Sequence, residues 1–125
     1  MKIIQKANWK EFDVIGWKLL CVYNIFSKNF FEFYNVSGDA GDSLGYHNGM
    51  MFSTKDRDND VKSGHSCAQE RKGAWWHKQC AHSNLNGLYL RGEYTSYADG
   101  VLWYHWLGHY YSLQKTEIKI RPSQS

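Results

Sequence analysis

Residues 67–90 read CAQERKGAWWHKQCAHSNLNGLYL, and this stretch is the least ordinary part of the chain. Its two cysteines enclose a pair of adjacent tryptophans. Cys67 and Cys80 could close a short disulfide loop, for which the chain-entropy model gives about 3 kcal/mol of stabilisation. Alternatively, these two and Cys21, the third cysteine of the chain, are free buried thiols of a cytosolic protein. The tryptophan pair is consistent with a hydrophobic core or with a ligand pocket.

The composition around this stretch predicts one folded domain. The chain has 125 residues, of which 42% are hydrophobic and 22% charged, so it can bury one core and is not intrinsically disordered. Aromatic residues make up 17%, more ring surface than one small core needs, which is typical of ligand pockets. The net charge of +3 is spread along the chain and does not suggest nucleic-acid binding.

Targeting signals are not visible in the sequence. No apolar stretch reaches the roughly 18 residues that a membrane-spanning helix needs. The first residues, MKIIQKANWKEF, carry charges where a secretory signal has its apolar region, and no small-residue cleavage site follows.

The pattern along the chain divides it at about residue 37. Residues 1–36 are rich in large apolar side chains, and several of them recur at spacings of three and four, which predicts an amphipathic helix. They are Phe12, Ile15, Leu19, Val22, Phe26, Phe30 and Phe33. Strands remain an alternative, because β-branched and aromatic residues are abundant there.

The remainder is predicted to be mostly loop. Residues 53–100 are rich in turn-forming residues, so we expect an ordered loop region that needs cross-links to hold it in place. Apolar and polar residues then alternate through Leu113, Ile118 and Ile120, which predicts a half-buried strand near residues 110–120.

An acidic turn, Asp56-Arg57-Asp58-Asn59-Asp60, places three carboxylates at alternate positions. Oxygen ligands at this spacing suit a hard cation such as calcium. The EF-hand template does not fit, because Val61 stands where that loop needs Gly and Cys67 where it needs Glu. A solvated turn without metal is the alternative.

Other chemistry in the cysteine-rich stretch is poorly supported. His77, Cys80 and His82 could ligate zinc, but a fourth ligand is not evident. Cys80 with His82 as its base lacks a third group to orient the pair. We therefore do not predict an enzyme.

Three blocks taken together resemble the fibrinogen C-terminal domain family, which includes ficolins and tachylectins. They are GDSLGYHNGMMFSTKDRDND, CAQERKGAWWHKQCAHSNLNGLYL and YADGVLWYHWLGHYYSLQKTEIKIRP. The resemblance runs over residues 37–122. It implies an α+β domain of short antiparallel strands with a loop-rich calcium and ligand subdomain. Residues 1–36 do not resemble the family's upstream part and are taken as a divergent segment, and residues 123–125 as a tail.

The resemblance also implies a metal site and a disulfide. Asp58 and Asp60 match the family's calcium carboxylates. The backbone carbonyls of Lys62 and Gly64 match its further calcium ligands. Cys67 and Cys80 match the disulfide beside the family's ligand pocket.

A pocket for acetyl groups is implied next to that disulfide. In the family's lectins the peptide bond before the second cysteine, here Gln79-Cys80, is cis. The amides of Cys80 and Ala81 match those that bind the acetyl oxygen. Tyr97, Ala98 and His109 match the walls around the methyl group, and the tryptophans Trp75, Trp76 and Trp103 are expected near this pocket.

Three positions depart from the lectin pattern, which bears on the ligand. Arg71 stands where an aromatic wall is usual, Ala81 where His or Tyr is usual, and His109 where Tyr or Trp is usual. Backbone amides survive such changes, so recognition of an acetyl oxygen can persist. Arg71 adds a cation that would favour anionic acetylated ligands.

The predicted function is a secreted, calcium-dependent, lectin-like recognition module that binds acetylated glycans or glycoproteins, with a role in innate immunity. The alternative is a protein-interaction domain of the fibrinogen, angiopoietin or tenascin kind. No nucleic-acid partner or membrane span is expected, and oligomers are expected in a longer product. In the family the last strand pairs with upstream strands. These are expected to be absent or replaced here, as in a truncated or divergent chain.

Overall fold

The computed structural model describes residues 2–8, 17–22 and 40–121. Within them, seven short strands, two single-turn α-helices and a 3₁₀ turn form the α+β architecture that the sequence predicts. The strands are β1 (Lys2–Asn8), β2 (Trp17–Val22), β3 (Ser83–Asn84), β4 (Gly92–Glu93), β5 (Leu102–Trp103), β6 (Tyr111–Ser112) and β7 (Lys115–Arg121). The helices are α1 (Cys67–Glu70) and α2 (Tyr104–Leu107), and the 3₁₀ turn is Gly45–His47. None of the helices in these residues is long and apolar enough to cross a bilayer.

The main sheet joins the first and last strands of the chain. Its order is β2-β1-β7, and both pairings are antiparallel. Lys2 stands opposite Val22 on one side and Arg121 on the other. The strand predicted near residues 110–120 is confirmed as β7. β1, which belongs to the first 36 residues, pairs along the whole of β7 on one side. This part of the chain therefore supplies β7 with a partner strand.

The helix predicted in the first third is wrong where the structure can test it. Trp17–Val22 is strand β2, with Cys21 opposite Ile3 of β1. Periodicity cannot distinguish a short apolar run in a strand from one in a helix, and pairing with β1 decides the outcome. The other positions of that pattern lie outside the described residues. They are Phe12, Ile15, Phe26, Phe30 and Phe33.

The core lies beneath the loops and consists largely of tryptophan and leucine. Trp103 is fully buried, and its indole N–H donates to the carbonyl oxygen of Gly41 at 3.0 Å. Trp75 and Trp76 are 2% and 8% exposed and meet edge to face, with ring centroids 4.9 Å apart. These three tryptophans therefore belong to the core. They do not line an open pocket, which was the alternative that the sequence offered.

Short bridges hold the loop region in place, as predicted for residues 53–100. Ser83 of β3 pairs with Trp103 of β5, and Gly92 of β4 pairs with Ser112 of β6. The buried Asn84 side chain donates to the carbonyl oxygens of Arg71 at 2.7 Å and Gly100 at 3.2 Å. These contacts fix the loops that carry the candidate site.

Candidate functional site

A disulfide between Cys67 and Cys80 fixes the centre of the candidate site. The two residues are separated by 13 positions, their Cα atoms are 5.0 Å apart, and both are buried. Cys67 is the first residue of α1, whose N-terminus is capped by the Ser66 hydroxyl, which accepts from the Gln69 amide at 3.4 Å. For Cys67 and Cys80 the structure therefore supports a disulfide and not two free thiols. A cystine sulfur cannot serve as a thiolate, so the zinc hypothesis also falls.

The turn before Cys80 differs from the expected geometry. Among the described residues no peptide bond is cis, so Gln79-Cys80 is trans and that expectation is corrected. Cys80 instead takes a left-handed φ of 68°, and the Lys78 N–H donates to the Cys80 carbonyl at 3.0 Å. A left-handed residue costs about 1–2 kcal/mol, less than the roughly 3 kcal/mol of a cis non-proline bond. The chain thus reverses direction without a cis bond.

The two backbone donors of this turn differ in what they meet. Cys80 pairs with Lys78 in an isolated antiparallel β-bridge, so its N–H faces the Lys78 carbonyl. No hydrogen bond of the described residues uses the N–H of Ala81. Both residues are nearly buried, at 2% and 8% exposure. A buried N–H without a partner costs free energy, so the Ala81 amide would be stabilised by an acceptor that a ligand supplies. Gln79, the third predicted residue of this turn, is exposed.

The predicted wall residues Tyr97, Ala98 and His109 form a group. Ala98 is 1% exposed and has a left-handed φ of 53°, whereas Tyr97 is 50% exposed. The His109 ring centroid lies 5.2 Å from that of Tyr97. Burial lowers the pKa of His109, and the Arg71 charge lowers it further. The imidazole is therefore kept neutral near pH 7.

Arg71 completes this wall. Its guanidinium carbon lies 4.6 Å from the centroid of the Tyr97 ring, within the range of a cation–π contact. Its Nη1 donates to the Tyr97 carbonyl at 3.0 Å. Arg71 therefore holds the Tyr97 loop against the residues that follow α1, at the position where the resemblance implies an aromatic ring.

The predicted calcium residues lie in the loop that leads to Cys67. Asp60 accepts amide hydrogens from Lys62 on Oδ1 and from Cys67 on Oδ2, both at 2.8 Å. Asp58 accepts the Asp60 amide at 3.0 Å. Burial raises the pKa of Asp60, and the adjacent Asp58 carboxyl raises it further against the opposing effect of the two amides. A carboxyl whose pKa is raised beside a second carboxyl belongs to a donor set that a cation would stabilise.

The rest of a calcium shell would have to come from neutral oxygens. Within the described residues no group of three or more His, Cys, Asp or Glu side chains gathers around a common point. Calcium takes six to eight oxygen ligands, including carbonyls and water, so Asp58 and Asp60 would supply only part of its shell. Gly64 is exposed with a left-handed φ of 74°. Lys62 Nζ lies 2.7 Å from Oε2 of Glu70 and ties this loop to α1.

Sequence reasoning missed His47, whose buried side chain contacts the backbone on both sides of the Cys80 turn. This imidazole is fully buried and lies 2.7 Å from the Trp76 carbonyl through Nδ1. Its Nε2 accepts the amides of His82 at 3.2 Å and Ser83 at 3.1 Å. Burial lowers the pKa of His47 from 6.5 to about 3, so it is neutral with its hydrogen on Nδ1. Nothing in the local sequence distinguishes it from a surface histidine of a turn.

Comparison with known proteins identifies the family. The family model described as fibrinogen beta and gamma chains, C-terminal globular domain, matches residues 5–123. Techylectin-5A of Tachypleus tridentatus is 59% identical over 88 residues, which cover 70% of this chain and 30% of that protein. Human fibrinogen C domain-containing protein 1 is 59% identical over 88 residues, covering 70% of this chain and 19% of that protein. The chain thus spans less than a third of the length of these relatives.

A solved structure extends the similarity to nearly the whole chain. The fibrinogen-like globe domain of human ANGPTL2 superposes with a TM-score of 0.83 at 39% identity, over 97% of this chain and 57% of that one. The family match begins at residue 5, so it reaches into the segment that the sequence appeared to set apart before Ser37. The lack of resemblance expected there is therefore corrected. The chain belongs to the fibrinogen C-terminal domain family.

Proposed function

We propose that this chain is an extracellular, calcium-dependent recognition module that binds acetylated glycans. The observation that carries the proposal is the amide of Ala81, directly after the Cys80 turn, which has no acceptor within the described residues. An acetyl group offers one carbonyl oxygen to accept this amide and one methyl group to contact apolar surface. Similarity to a techylectin and to other fibrinogen-related proteins, which are generally secreted, supports the same function and location.

The neighbouring rings suit the methyl group of such a ligand. Tyr97 and His109 are joined to the Cys80 turn on two sides. On one side Arg71 bonds to Tyr97 and, through its own amide, to the Cys67 carbonyl at 2.8 Å. On the other side Tyr104 stacks on His109 with ring centroids 4.5 Å apart. Tyr104 in turn donates its amide to the His82 carbonyl at 2.8 Å, two residues after Cys80. A group of rings connected in this way to a turn with an unpaired donor has the mixed character of a small-ligand site.

Calcium would act here by fixing the loop. The Asp60 carboxylate already accepts the amide of Cys67, so an ion held by Asp58 and Asp60 would brace the disulfide and with it the Cys80 turn. Asp58, Asp60 and backbone carbonyls such as those of Lys62 and Gly64 would hold it. The ion supplies positive charge between two carboxylates and is not required to touch the sugar.

Binding to surfaces coated with N-acetylglucosamine tests this function directly. We expect binding with calcium, loss with chelator and recovery when calcium is restored, with no binding to unacetylated glucosamine. Tyr97→Ala should weaken binding on the order of tenfold. Tyr89→Ala is the matched control, because Tyr89 is similarly exposed at 56% and its ring contacts Arg91 instead. Equal binding to both sugars, or calcium-independent binding, would reject the proposal.

A second candidate is a protein-interaction domain without a working sugar pocket. Arg71 favours it, since its guanidinium covers the Tyr97 ring where the family's lectins have an aromatic wall. The similarity to an angiopoietin-like globe points the same way. The variant Arg71→Tyr separates the two functions. If it binds N-acetylglucosamine and the parent chain does not, the parent belongs to this second class.

A further inference from the structure

A cleft of about 630 Å³ lies between helix α1 and the start of the acidic turn. Three segments line it: residues 54–56, the middle of α1 at residues 68–69, and residues 72–74 after the helix. We call it the α1 cleft. Sites for small ligands typically enclose about 300–1,000 Å³, so the cleft is large enough for one. Its lining residues are not those proposed above to hold calcium or an acetyl group.

Hydrogen bonds between the three segments preform the α1 cleft. The Gln69 side chain donates to the Lys55 carbonyl at 2.7 Å and joins α1 to the acidic turn. Ser53 and Trp75 exchange both of their backbone hydrogen bonds, at 2.9 and 3.2 Å, and join the acidic turn to the segment after α1. A site that exists before its ligand arrives loses less free energy in ordering itself on binding.

The end of α1 places a lysine at the cleft in an unfavourable backbone conformation. Lys72 follows the C-cap residue Arg71 and has a left-handed φ of 56°. The next amide, that of Gly73, donates to the Ala68 carbonyl at 3.2 Å and closes the helix end. Glycine or asparagine is usual at the left-handed position of such an end, because a Cβ atom disfavours it. Strained residues of this kind cluster at functional sites.

The charges around the α1 cleft favour a ligand with a single negative charge. Lys55 and Lys72 are exposed, and neither forms a salt bridge within the described residues. Asp56 accepts from the Thr54 hydroxyl at 2.6 Å, and this hydrogen bond lowers the pKa of the carboxyl, so Asp56 is ionised near pH 7. Two ammonium groups and one carboxylate leave one positive charge, which a monoanion would neutralise.

The inner surface of the α1 cleft favours an apolar body for that ligand. Ala68 is 2% exposed and Ala74 is half-buried, and an alanine side chain offers methyl surface without a donor or acceptor. Burying apolar atoms against such surface is favourable. Sugar hydroxyls placed there would lose their hydrogen bonds to water without replacement.

We propose that the α1 cleft binds a small amphipathic carboxylate, with its charge at Lys55 and Lys72 and its apolar body against Ala68 and Ala74. This site is separate from the acetyl pocket, and the inference does not rest on the proposed function. Helix α1 carries residues that line the cleft, whereas Arg71, directly after it, bonds to Tyr97 at the pocket.

Calorimetry with three matched probes tests the proposal. Indole-3-acetate has the apolar body and the charge, indole-3-acetamide has the same shape without the charge, and acetate has the charge alone. Indole-3-acetate should bind with a Kd below about 1 mM, as its size allows. The amide should bind about tenfold more weakly, because it loses the charge-assisted hydrogen bonds. Acetate should show no measurable binding.

Substitutions of single lysines locate the charge. Lys72→Asn should weaken indole-3-acetate about tenfold without lowering the melting temperature, since asparagine tolerates the left-handed conformation. Lys55→Gln should also weaken it. Lys78→Asn is the matched control, because Lys78 is an exposed lysine outside the cleft whose Nζ lies 5.3 Å from the Tyr46 ring centroid. It should bind as the parent does.

Nuclear magnetic resonance distinguishes the α1 cleft from the acetyl pocket. Indole-3-acetate should shift the backbone amide signals of Ala68, Gln69 and Ala74 and leave those of Ala81 and Tyr97 in place. Saturating N-acetylglucosamine should not change its affinity, and this result stands even if the acetyl pocket proposal fails. Shifts confined to Ala81 and Tyr97, equal binding of the amide, absence of indole-3-acetate binding, or unchanged affinity in both lysine variants would overturn the α1 cleft proposal.

Discussion

His47 and Trp76 are joined by a buried hydrogen bond in which the imidazole Nδ1 donates to the carbonyl oxygen at 2.7 Å. The opposite nitrogen of the same ring accepts the amides of His82 and Ser83. One side chain thus connects the backbone before the Cys80 turn with the backbone after it. The disulfide fixes the turn from one side, and His47 fixes both of its ends from within the core.

Replacing His47 should therefore destabilise the whole domain. His47→Leu removes three hydrogen bonds, one to the Trp76 carbonyl and two from backbone amides, at about 1–3 kcal/mol each. We expect a loss of at least about 3 kcal/mol in the free energy of unfolding, measured by urea denaturation. His65→Gln is the control, because the His65 side chain is 63% exposed and such changes stay within about 0.5 kcal/mol. A loss below 1 kcal/mol for His47→Leu would show that the three groups find other partners.

The same histidine predicts how stability depends on pH. Folding lowers the pKa of His47 from 6.5 to about 3, so below pH 6.5 the unfolded chain binds a proton that the folded chain does not. Stability from this group is complete above pH 6.5 and falls by up to about 1.4 kcal/mol per pH unit as pH drops towards 3. The stability gap between the parent and His47→Leu should thus narrow by about 2 kcal/mol between pH 7 and pH 5.

Urea midpoints of both proteins across this range provide the measurement. Carboxylates and the other histidines titrate in both proteins, so their effects cancel in the difference. A gap that stays constant with pH would mean that folding leaves the pKa of His47 unchanged.

The disulfide should contribute to both stability and binding. Removing it with Cys67→Ser and Cys80→Ser together should cost about 2–4 kcal/mol and abolish binding to N-acetylglucosamine, since the Cys80 turn loses its covalent support. Thermal unfolding and sugar binding are the two measurements. Reductant should reproduce the effect in the parent and have no effect of its own on the double variant. If the double variant retains full sugar binding, the Cys80 turn does not need the disulfide to keep its binding conformation.

Calcium should stabilise the folded chain through Asp60. A ligand that binds only the folded state adds about 2.7 kcal/mol at 100 times its Kd, so the melting temperature of the parent should rise with calcium. Asp60→Asn should lose this rise. Asp56→Asn is a matched control in the same acidic turn, because Asp56 is exposed and accepts from the Thr54 hydroxyl at 2.6 Å. An equal rise in Asp60→Asn and the parent would place calcium elsewhere, and no rise in the parent would mean that calcium does not bind.

The sequence was most informative where local residue types dictate local chemistry. Alternation of apolar and polar residues before Arg121 predicted β7, and the blocks around Cys67 and Cys80 indicated both the family and the disulfide. The acidic turn offered three carboxylates, and the family resemblance selected Asp58 and Asp60 as candidate ligands, which a hydrogen bond joins in the structure. These features involve residues that are close together in the sequence.

Properties that depend on distant partners could not be predicted in this way. The apolar spacing of Trp17–Val22 suited a helix as well as a strand, and pairing with β1 decided for the strand. The left-handed φ at Cys80 could not be predicted from the sequence either. The residues that pack around a turn decide which dihedral angle reverses the chain.

By itself, the sequence determined the fold family, the disulfide pair and the residue types available for ligands. The tertiary structure alone decided that His47 is a buried neutral connector, that Trp103 belongs to the core, and that rings from separate segments align beside Tyr97. The physical reason is that burial, pKa and ring stacking arise from groups far apart in the chain. These interactions form only once folding has brought the groups together and removed the water between them.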